Sequence, residues 1–214
     1  MKTVIVTGGS INPNVLHNYI NDPTTKLIIA VDKGTEVFAS EFIKPHFVVG
    51  DFDSISLNVF NKIASWGSEI VQFPSEKDWT DTEIALKLAI EKGATEINII
   101  GGTGTRIDHV LGNIQLLEIA VNANIPCYMV DEYNRIRLVK GSVIIKKEEQ
   151  YGRFISVIPL RGDLKGVTIK GAKYELVNAE IKCGTSLGIS NEIKGDVILI
   201  NISEGEAVVV ESLD

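Results

Sequence analysis

Aspartate residues follow three separate apolar runs of this sequence, in positions where carboxylates can serve metal-dependent phosphate chemistry. Asp51 and Asp53 follow FVVG, Asp78 and Asp81 follow IVQF, and Asp108 follows INIIGGTGTRI. Carboxylates that share one crevice repel one another unless a cation lies between them. Hard oxygen ligands favour Mg²⁺, which also coordinates substrate phosphates. If the three segments meet in the fold, they therefore predict a metal–phosphate site.

A glycine-rich segment, GGTGTR at residues 101–106, supplies a second element of phosphate chemistry. It precedes a predicted helix, so its backbone N–H groups and the helix N-terminus can cradle an anion. Arg106 adds a planar set of donors that suits phosphate oxygens. The segment is not a Walker A motif, because no Gly-Lys-Ser/Thr follows, and as a dinucleotide-binding fingerprint it lacks the third glycine. It predicts phosphate binding only together with the aspartates.

Several of these aspartates also have a purely structural interpretation. Thr80 and Glu83 have the spacing of a capping box, and Asp81 at the first helical position would be stabilised by the helix dipole. Asp108 could be an N-cap, and Asp53 could be a turn residue. The functional prediction therefore depends on the coincidence of the three segments.

Two aromatic residues beside the aspartates are expected to be structural. His109, next to Asp108, is in a position more typical of a partly buried helix residue than of a ligand. Trp79 lies inside the acidic turn and could face a ligand, although packing is the more common role for such a residue. Neither is counted among the predicted site residues.

The first part of the chain, up to about residue 135, has the pattern of an α/β domain. Short β-branched runs alternate with longer segments of helical spacing, which predicts a mainly parallel sheet flanked by helices on both faces. The carboxyl ends of such strands lie along one edge, and ligands bind there at the point where the strand order reverses. The acidic segments are therefore expected to converge. The predicted strands are TVIVTGG, KLIIAVD, HFVVGD, EIVQF, EINIIGG and IPCYMVD.

Two predicted helices of this part begin at acidic segments and have apolar stripes. Gly93 supplies a C′ stop for TDTEIALKLAIEKG, whose predicted buried face consists of Ile84, Ala85, Leu88 and Ala89. The predicted buried face of DHVLGNIQLLEIAVNAN consists of Val110, Leu111, Ile114, Leu117 and Val121. Each helix would place an aspartate at its N-terminus.

After about residue 136 the helical spacing stops and the pattern becomes that of an all-β domain. Short β-type runs separated by Gly, Asp, Asn and Lys predict an antiparallel sandwich or small barrel. The segment SEGEA, between the last two runs, is expected to be the turn of a hairpin. The sequence thus predicts an α/β domain at residues 1–137 and an all-β domain at residues 138–214. The runs are RIRLV, SVIIKK, RFISVIPL, GVTIKG, DVILINI and EAVVVES.

The composition narrows the class of protein further. The chain has 214 residues, 44% of them hydrophobic, and a formal net charge of -7, which argues against a broad basic face for nucleic acid. The first apolar run is too short for a secretion signal, and no segment reaches membrane-spanning length. Cys127 and Cys183 do not form a disulfide framework and are expected to be buried thiols in a reducing compartment. We therefore predict a soluble cytoplasmic protein.

Three motifs closely resemble those of the thiamine pyrophosphokinases, in the same order and at the same intervals: GDFDS (50–54), EKDWTDTE (76–83) and GGTGTRIDH (101–109). The segment LGISNE (187–192) is similar to the thiamine-binding segment of that family. The resemblance covers essentially the whole chain. It implies transfer of the pyrophosphoryl group of ATP to the hydroxyl of thiamine, with Mg²⁺ and with release of AMP. It also implies a homodimer, in which thiamine lies between the catalytic domain of one subunit and the β domain of the other.

The same resemblance implies functions for individual positions. The expected catalytic residues are Asp51, Asp81 and Arg106, and the sequence does not decide whether Asp51 or Asp81 accepts the hydroxyl proton. Thiamine contacts are expected at Ser190 and Asn191. The expected metal ligands are Asp51, Asp53, Asp81 and Asp108. The expected nucleotide contacts are Asp32, Gly101, Gly102, Thr103 and Arg106.

Two positions depart from the family pattern. The family often has Asp-Gly-Gly-Ala after the second strand, whereas this chain has Asp-Lys-Gly-Thr, so Lys33 either contacts phosphate or points to solvent. Thr105 stands where many members have glycine, which would stiffen the phosphate loop.

Two other functions fit part of the same pattern. A phosphohydrolase would use Asp51 as nucleophile and Asp53 as acid–base, but that class expects the pair after the first strand, and here it follows the third. A nucleotide- or thiamine-sensing module would lack catalytic carboxylates, and none is missing from this sequence. Release of AMP that depends on added thiamine distinguishes the transferase from both.

Overall fold

The first part of the chain folds as an α/β unit. The computed structural model describes residues 1–53, 55–74 and 78–214, so Ser54 of GDFDS, and Glu76 and Lys77 of EKDWTDTE, lie outside the described residues. The chain divides into two units, Met1–Glu132 and Tyr133–Asp214. The assignment of catalysis to residues 1–137 and of thiamine binding to residues 138–214 stays a prediction.

Strands and helices alternate through the described part of the first unit, and the six strands expected from the sequence are confirmed. The strands are β1 (Lys2–Val6), β2 (Thr25–Val31), β3 (Phe47–Gly50), β4 (Glu69–Gln72), β5 (Glu96–Ile100) and β6 (Cys127–Val130). The helices are α1 (Pro13–Ile20), α2 (Thr35–Glu41), α3 (Leu57–Ser65), α4 (Asp81–Glu91) and α5 (Ile107–Asn122). A short 3-10 turn, Asp32–Gly34, connects β2 to α2.

The six strands form a parallel sheet in the order β4-β3-β2-β1-β5-β6. The chain runs outward from β1 to β4 and then returns through α4 to β5, on the other side of β1. The strand order therefore reverses between β1 and β5. In open α/β sheets, this reversal at the carboxyl ends of the strands is the expected place of a ligand site.

Helices cover both faces of this sheet, as the sequence predicts. Leu16, Phe38 and Ile63, one from each of α1, α2 and α3, pack in one apolar cluster with Val4 of β1. The next residue of that strand, Ile5, points to the opposite face because strand side chains alternate, and it is fully buried as well. On the second face α4 contacts β1, β2 and β3.

The two helices that begin at acidic segments differ in how well their buried faces were predicted. Helix α4 buries most of its predicted face and ends before Gly93, whose φ is 83°. The face predicted for α5 is right at Leu117 and wrong at Leu111. Its buried residues are Asn113, Leu117 and Ala120, whereas Leu111 is 57% exposed. The polar residue Asn113 occupies a buried position of α5. The spacing of apolar residues alone does not predict which face of such a helix is buried.

The second unit is an antiparallel β sandwich, in agreement with the predicted fold class. One sheet has the order β7-β13-β9 and the other the order β11-β10-β12-β8. Ile145 of β8 and Val209 of β13 belong to the same buried cluster, which fills the space between the sheets. The strands are β7 (Asn134–Val139), β8 (Ser142–Lys146), β9 (Phe154–Pro159), β10 (Leu164–Lys170), β11 (Leu176–Ile181), β12 (Val197–Asn201) and β13 (Ala207–Ser212).

Two features of this unit differ from the sequence-based expectations. Strand β11 was not predicted, because it lies at the edge of its sheet, where Val177 is 76% exposed and polar residues interrupt the apolar run. The expected SEGEA hairpin is wrong, because β12 pairs with β8 and β10 whereas β13 pairs with β7 and β9. After β12 the chain instead forms a bridge between Lys165 and Glu204 and crosses to the other sheet.

The two cysteines differ in exposure. Cys127 is buried in β6, where burial raises the pKa of its thiol to about 12. The expectation of two buried thiols is wrong for Cys183, which is exposed. Among the described residues, no helix is both long enough and apolar enough to cross a membrane.

Candidate active site

Two glycine-rich loops meet at the point where the strand order reverses. The β1 loop (7–10) is joined to the β5 loop (101–106) by a backbone hydrogen bond of 2.9 Å from Gly9 N–H to the carbonyl oxygen of Gly101. A Cβ atom on Gly9 would overlap that oxygen, and a Cβ atom on Gly101, whose φ is 75°, would overlap the carbonyl oxygen of Thr7. This close approach requires glycine at both positions. The two loops therefore form one rigid backbone surface.

A cleft of about 530 Å³ opens beside these loops. It lies at the carboxyl ends of β1, β2, β3 and β5 and reaches the first turns of α4 and α5, and its volume suits a small organic ligand. The structure places many of the predicted site residues around this cleft: Asp32, Asp51, Asp81, Gly101, Gly102, Thr103 and Arg106.

The turn after β3 presents Asp51 to the cleft while Phe52 packs inward. The ring of Phe52 packs against the apolar cluster of the first unit and lies 5.2 Å from the ring of Phe60, centroid to centroid. Phe52 has a φ of 66°, a left-handed conformation that costs a phenylalanine about 1–3 kcal/mol. The Asp51 carboxylate accepts a hydrogen bond of 3.1 Å from the backbone N–H of Asp53. Packing of the aromatic ring thus holds a strained turn that keeps the carboxylates at the surface.

The start of α4 places Asp81 in the cleft and at a helix N-terminus at the same time. Thr80 is the N-cap, and its hydroxyl accepts a hydrogen bond of 3.2 Å from the backbone N–H of Glu83. The hydroxyls of Thr82 and Thr7 form a buried hydrogen bond of 3.1 Å, which ties α4 to the β1 loop. A negative charge at the first helical position is favoured by the helix dipole. The capping and the functional interpretations of Asp81 are therefore compatible.

Arg106 and Asp108 form an exposed ion pair at the start of α5. Nη2 of Arg106 lies 2.5 Å from Oδ2 of Asp108, and Nε lies 3.3 Å from Oδ1. This hydrogen bonding raises the pKa of the guanidinium and lowers the pKa of the carboxyl. Arg106 is the N-cap and Asp108 the second residue of the helix, so the alternative that Asp108 is an N-cap is wrong. An exposed pair of this kind adds little stability, and it leaves both groups accessible to a ligand.

The donor set around the cleft is one that Mg²⁺ accepts in proteins. Asp51 and Asp81 line the cleft, whereas Asp53 and Asp108, both within the described residues, do not. In the described ranges 1–53, 55–74 and 78–214, no group of three or more His, Cys, Asp or Glu side chains is arranged to hold a metal ion. Mg²⁺ commonly binds through one or two carboxylates plus substrate phosphates, so two lining carboxylates fit it.

Several cleft residues were missed or given structural roles from the sequence. The Thr-Gly-Gly of the β1 loop was read only as the end of a strand, although paired glycines at a strand end are a signal of close backbone approach. His109 lines the cleft and is exposed rather than partly buried, and Trp79 lines the cleft as well. Lys33, whose role was left open, also lines it. Asn113 lines it and is buried, and its side-chain amide donates a hydrogen bond of 2.9 Å to the carbonyl oxygen of Gly102.

The predicted thiamine-contacting residues, Ser190 and Asn191, belong to the second unit and differ in environment. Asn191 is buried, and its amide group donates to the carbonyl oxygen of Tyr174 (2.7 Å) and accepts from the backbone N–H groups of Tyr174 and Glu192 (both 3.0 Å). Ser190 is exposed, has a φ of 57° and donates its backbone N–H to the hydroxyl of Ser156 (3.0 Å). Asn191 thus fixes the conformation of the segment that exposes Ser190.

Comparison with known proteins identifies this arrangement. The family description "Thiamin pyrophosphokinase, catalytic domain" matches residues 17–129, and "Thiamin pyrophosphokinase, vitamin B1 binding domain" matches residues 142–206. The chain is 39% identical to a thiamine pyrophosphokinase of Bacillus subtilis over 100% of both chains. Its fold is similar to crystal structures of thiamine pyrophosphokinases from Bacillus subtilis (TM-score 0.90, 37% identity, 100% of both chains) and Geobacillus thermodenitrificans (TM-score 0.86, 32% identity, 100% of this chain and 98% of the other). The chain therefore belongs to the thiamine pyrophosphokinase family.

Proposed function

We propose that this protein transfers the pyrophosphoryl group of ATP to the hydroxyl of thiamine, giving thiamine diphosphate and AMP. The observation that carries the proposal is the cleft at the strand-order reversal, where glycine loops and an arginine lie beside the carboxylates of Asp51 and Asp81. Phosphate-binding groups and proton-accepting groups in one cleft are what an alcohol and a triphosphate need in order to react. Family membership supports the choice of thiamine as the alcohol.

The triphosphate is proposed to bind on the two glycine loops. Their rigid backbone, with the N-terminus of α5 behind it, offers N–H groups to phosphate oxygens, at Gly101, Gly102 and Thr103 in particular. The side chains of Arg106 and Asp108 are both exposed, so Arg106 can leave Asp108 and bind phosphate instead. It then adds charge-assisted hydrogen bonds to the phosphate oxygens. Lys33 lines the same cleft, which favours a phosphate contact over the solvent-facing alternative. Asp32, on the turn after β2, is the proposed contact to the rest of the nucleotide.

The hydroxyl of thiamine must attack the β-phosphorus of ATP, and the leaving group is AMP. An alcohol is a weak nucleophile at neutral pH, so a carboxylate positioned beside it accelerates the attack by accepting its proton. Asp51 and Asp81 are the two proposed acceptors, because both line the cleft. Donors on the glycine loops and Arg106 hold the phosphates so that the β-phosphorus faces the hydroxyl.

Mg²⁺ is the proposed metal ion, with Asp51 and Asp81 as its ligands in the cleft and Asp53 and Asp108 as the further ligands that the family resemblance implies. Asp51 and Asp81 line the cleft, Asp53 is hydrogen-bonded to Asp51 through its backbone, and Asp108 is paired with Arg106. When bound, Mg²⁺ would neutralise negative charge on the phosphate oxygens.

Thiamine is proposed to contact Ser190, with Asn191 acting through the loop that it holds. We also propose a homodimer with shared active sites and a cytoplasmic location, for which the acidic composition and the two free cysteines are the support from this chain.

The decisive experiment is to follow AMP from ATP with and without added thiamine, in the presence of Mg²⁺. The proposal expects AMP and thiamine diphosphate in equal amounts, and neither product without thiamine. Release of free phosphate without AMP would contradict it in favour of a phosphohydrolase. Binding of both ligands without turnover would contradict it in favour of a sensing module.

A further inference from the structure

Trp79 is an aromatic residue of the cleft to which the proposed function assigns no role. Its side chain is 52% exposed and lines the cleft together with Asp32, Asp51 and Asp81. An aromatic ring and carboxylates that line one cleft are groups that together recognise cationic ligands.

The indole ring is held in place by the first two turns of α4. Nζ of Lys87 lies 4.5 Å from the centroid of the Trp79 ring. Lys87 in turn forms a salt bridge of 2.7 Å with Glu83, one helical turn earlier, and the backbone of Glu83 is capped by Thr80. Trp79 therefore starts from a defined position before any ligand arrives. The charge of Lys87 is paired with that of Glu83. The cleft itself is lined by the carboxylates of Asp32, Asp51 and Asp81 and by the cations Lys33 and Arg106.

The position of Trp79 in the chain selects which part of the substrates it meets. It lies two residues before Asp81, one of the two proposed proton acceptors, so the Cα atoms of Trp79 and Asp81 are at most about 7 Å apart. The thiazolium ring of thiamine carries the reacting hydroxyl on a two-carbon arm, so this ring must lie close to the carboxylate that accepts the proton. The adenine of ATP is separated from the β-phosphorus by ribose and the α-phosphate, and it lies farther from that carboxylate.

We propose that the indole ring of Trp79 binds the positively charged thiazolium ring of thiamine by a cation–π contact, with the carboxylates of the cleft as the surrounding negative charge. This inference rests on the proposed function, because the cation it names is the acceptor substrate. It makes Trp79 a determinant of acceptor specificity, selecting alcohols attached to an aromatic cation over neutral alcohols.

Intrinsic fluorescence gives a direct test, because the chain has two tryptophans, Trp66 and Trp79. Trp66 is the C-cap of α3 and packs against the apolar cluster of the first unit, so Trp66→Phe is a matched control that keeps only the tryptophan of the cleft. Thiamine should quench the fluorescence of Trp66→Phe and leave that of Trp79→Phe unchanged. ATP should leave both variants nearly unchanged.

The charge dependence is tested with two small probes, the neutral hydroxyethyl thiazole and its N-methylated thiazolium. The thiazolium should quench Trp66→Phe at about tenfold lower concentration than the neutral ring, as expected for a cation–π contact. In Trp79→Ala the KM for thiamine should rise about tenfold while the KM for ATP changes less than about twofold. Trp79→Phe should lie between the wild type and Trp79→Ala.

Equal quenching by the two probes would overturn the inference, and so would a KM for ATP that rises as much as that for thiamine. Unchanged kinetics in Trp79→Ala would overturn it too. These titrations need no turnover, so they remain informative if thiamine does not stimulate AMP release. Absence of thiamine-stimulated AMP release would overturn the proposed function but not the cation–π contact.

Discussion

The glycine loops and the acidic segments that face the same cleft are built in different ways. The β1 and β5 loops are fixed by backbone contacts so close that Gly9 and Gly101 tolerate no side chain. The carboxylates of Asp51 and Asp81 project from an exposed turn and from a helix start, and Arg106 is paired with Asp108. The phosphate surface is thus formed before any ligand binds, whereas the charged groups can still rearrange. A ligand that brings phosphates and a cation would gather the charged groups around a surface that is already in place.

The largest expected effect comes from changing one of the charged residues of the cleft. Asp81→Asn removes a carboxylate of the cleft, and kcat should fall by about 10²–10⁴-fold, as expected for loss of a proton acceptor or metal ligand. The melting temperature should stay near that of the wild type, because asparagine has almost the same size as aspartate and the lost helix-dipole contribution is about 0.3–1 kcal/mol. Thermal unfolding and steady-state kinetics on the same preparation check both. A large loss of stability with activity preserved would return Asp81 to a capping role.

The backbone contact between the β1 and β5 loops is tested by adding a single methyl group. Gly9→Ala forces a Cβ atom onto the carbonyl oxygens of Gly101 and Thr103, so the loops must separate. The free energy of unfolding should fall by about 2–4 kcal/mol, measured by urea denaturation. Gly112→Ala in α5 is the matched control, because a Cβ atom there meets nothing within 4 Å. That variant should be more stable by about 0.5–1 kcal/mol. Equal stability of the two variants would refute the rigid-surface description.

Asn113 connects α5 to the β5 loop, because its buried amide donates a hydrogen bond to the carbonyl oxygen of Gly102. Asn113→Ala should lower the free energy of unfolding by about 1–3 kcal/mol, the cost of losing a buried hydrogen-bond partner. The KM for ATP should rise while the KM for thiamine is maintained, because the β5 loop holds phosphate. A purely structural role would lower stability and leave both KM values unchanged.

Lys33 should give the smallest effect. Lys33→Ala removes one exposed charge from the cleft and should raise the KM for ATP by about two- to fivefold, with kcat nearly constant. Lys26→Ala, an exposed lysine of β2 that does not line the cleft, is the control and should change neither parameter. Identical kinetics for the two variants would show that Lys33 points to solvent.

Regular, strongly patterned parts of the fold could be predicted from the sequence, because apolar alternation reports burial directly. The strands of the α/β unit and the sandwich of the second unit follow from such patterns. Strand β11 did not, because it lies at an exposed edge where polar residues such as Asn178 and Glu180 are accommodated. The buried position of Asn113 on α5 did not either, because its amide donates to a loop carbonyl, and apolar periodicity carries no information about such a partner.

The candidate site was predicted by chemistry rather than by contacts. Asp51, Asp81 and Arg106 were predicted because their segments each follow a strand, and the carboxyl ends of parallel strands meet at one edge of the sheet. The pairing of the β1 and β5 loops was missed, because only the fold reveals that Gly9 lies against Gly101. The sequence also did not reveal that Ser190 is exposed whereas Asn191 is buried. The Asn191 side chain is hydrogen-bonded to the backbone of Tyr174, which is distant in sequence.

The central claim is that the carboxylates of Asp51 and Asp81 and the two glycine loops hold one triphosphate and its cation. It is tested most directly by a crystal structure with Mn²⁺ and an ATP analogue that has a methylene bridge between its α- and β-phosphates. The account predicts anomalous density for Mn²⁺ at oxygens of Asp51 and Asp81, with phosphate oxygens against the N–H groups of residues 101–104. Phosphates bound away from the β5 loop, or a metal ion that contacts neither aspartate, would contradict it.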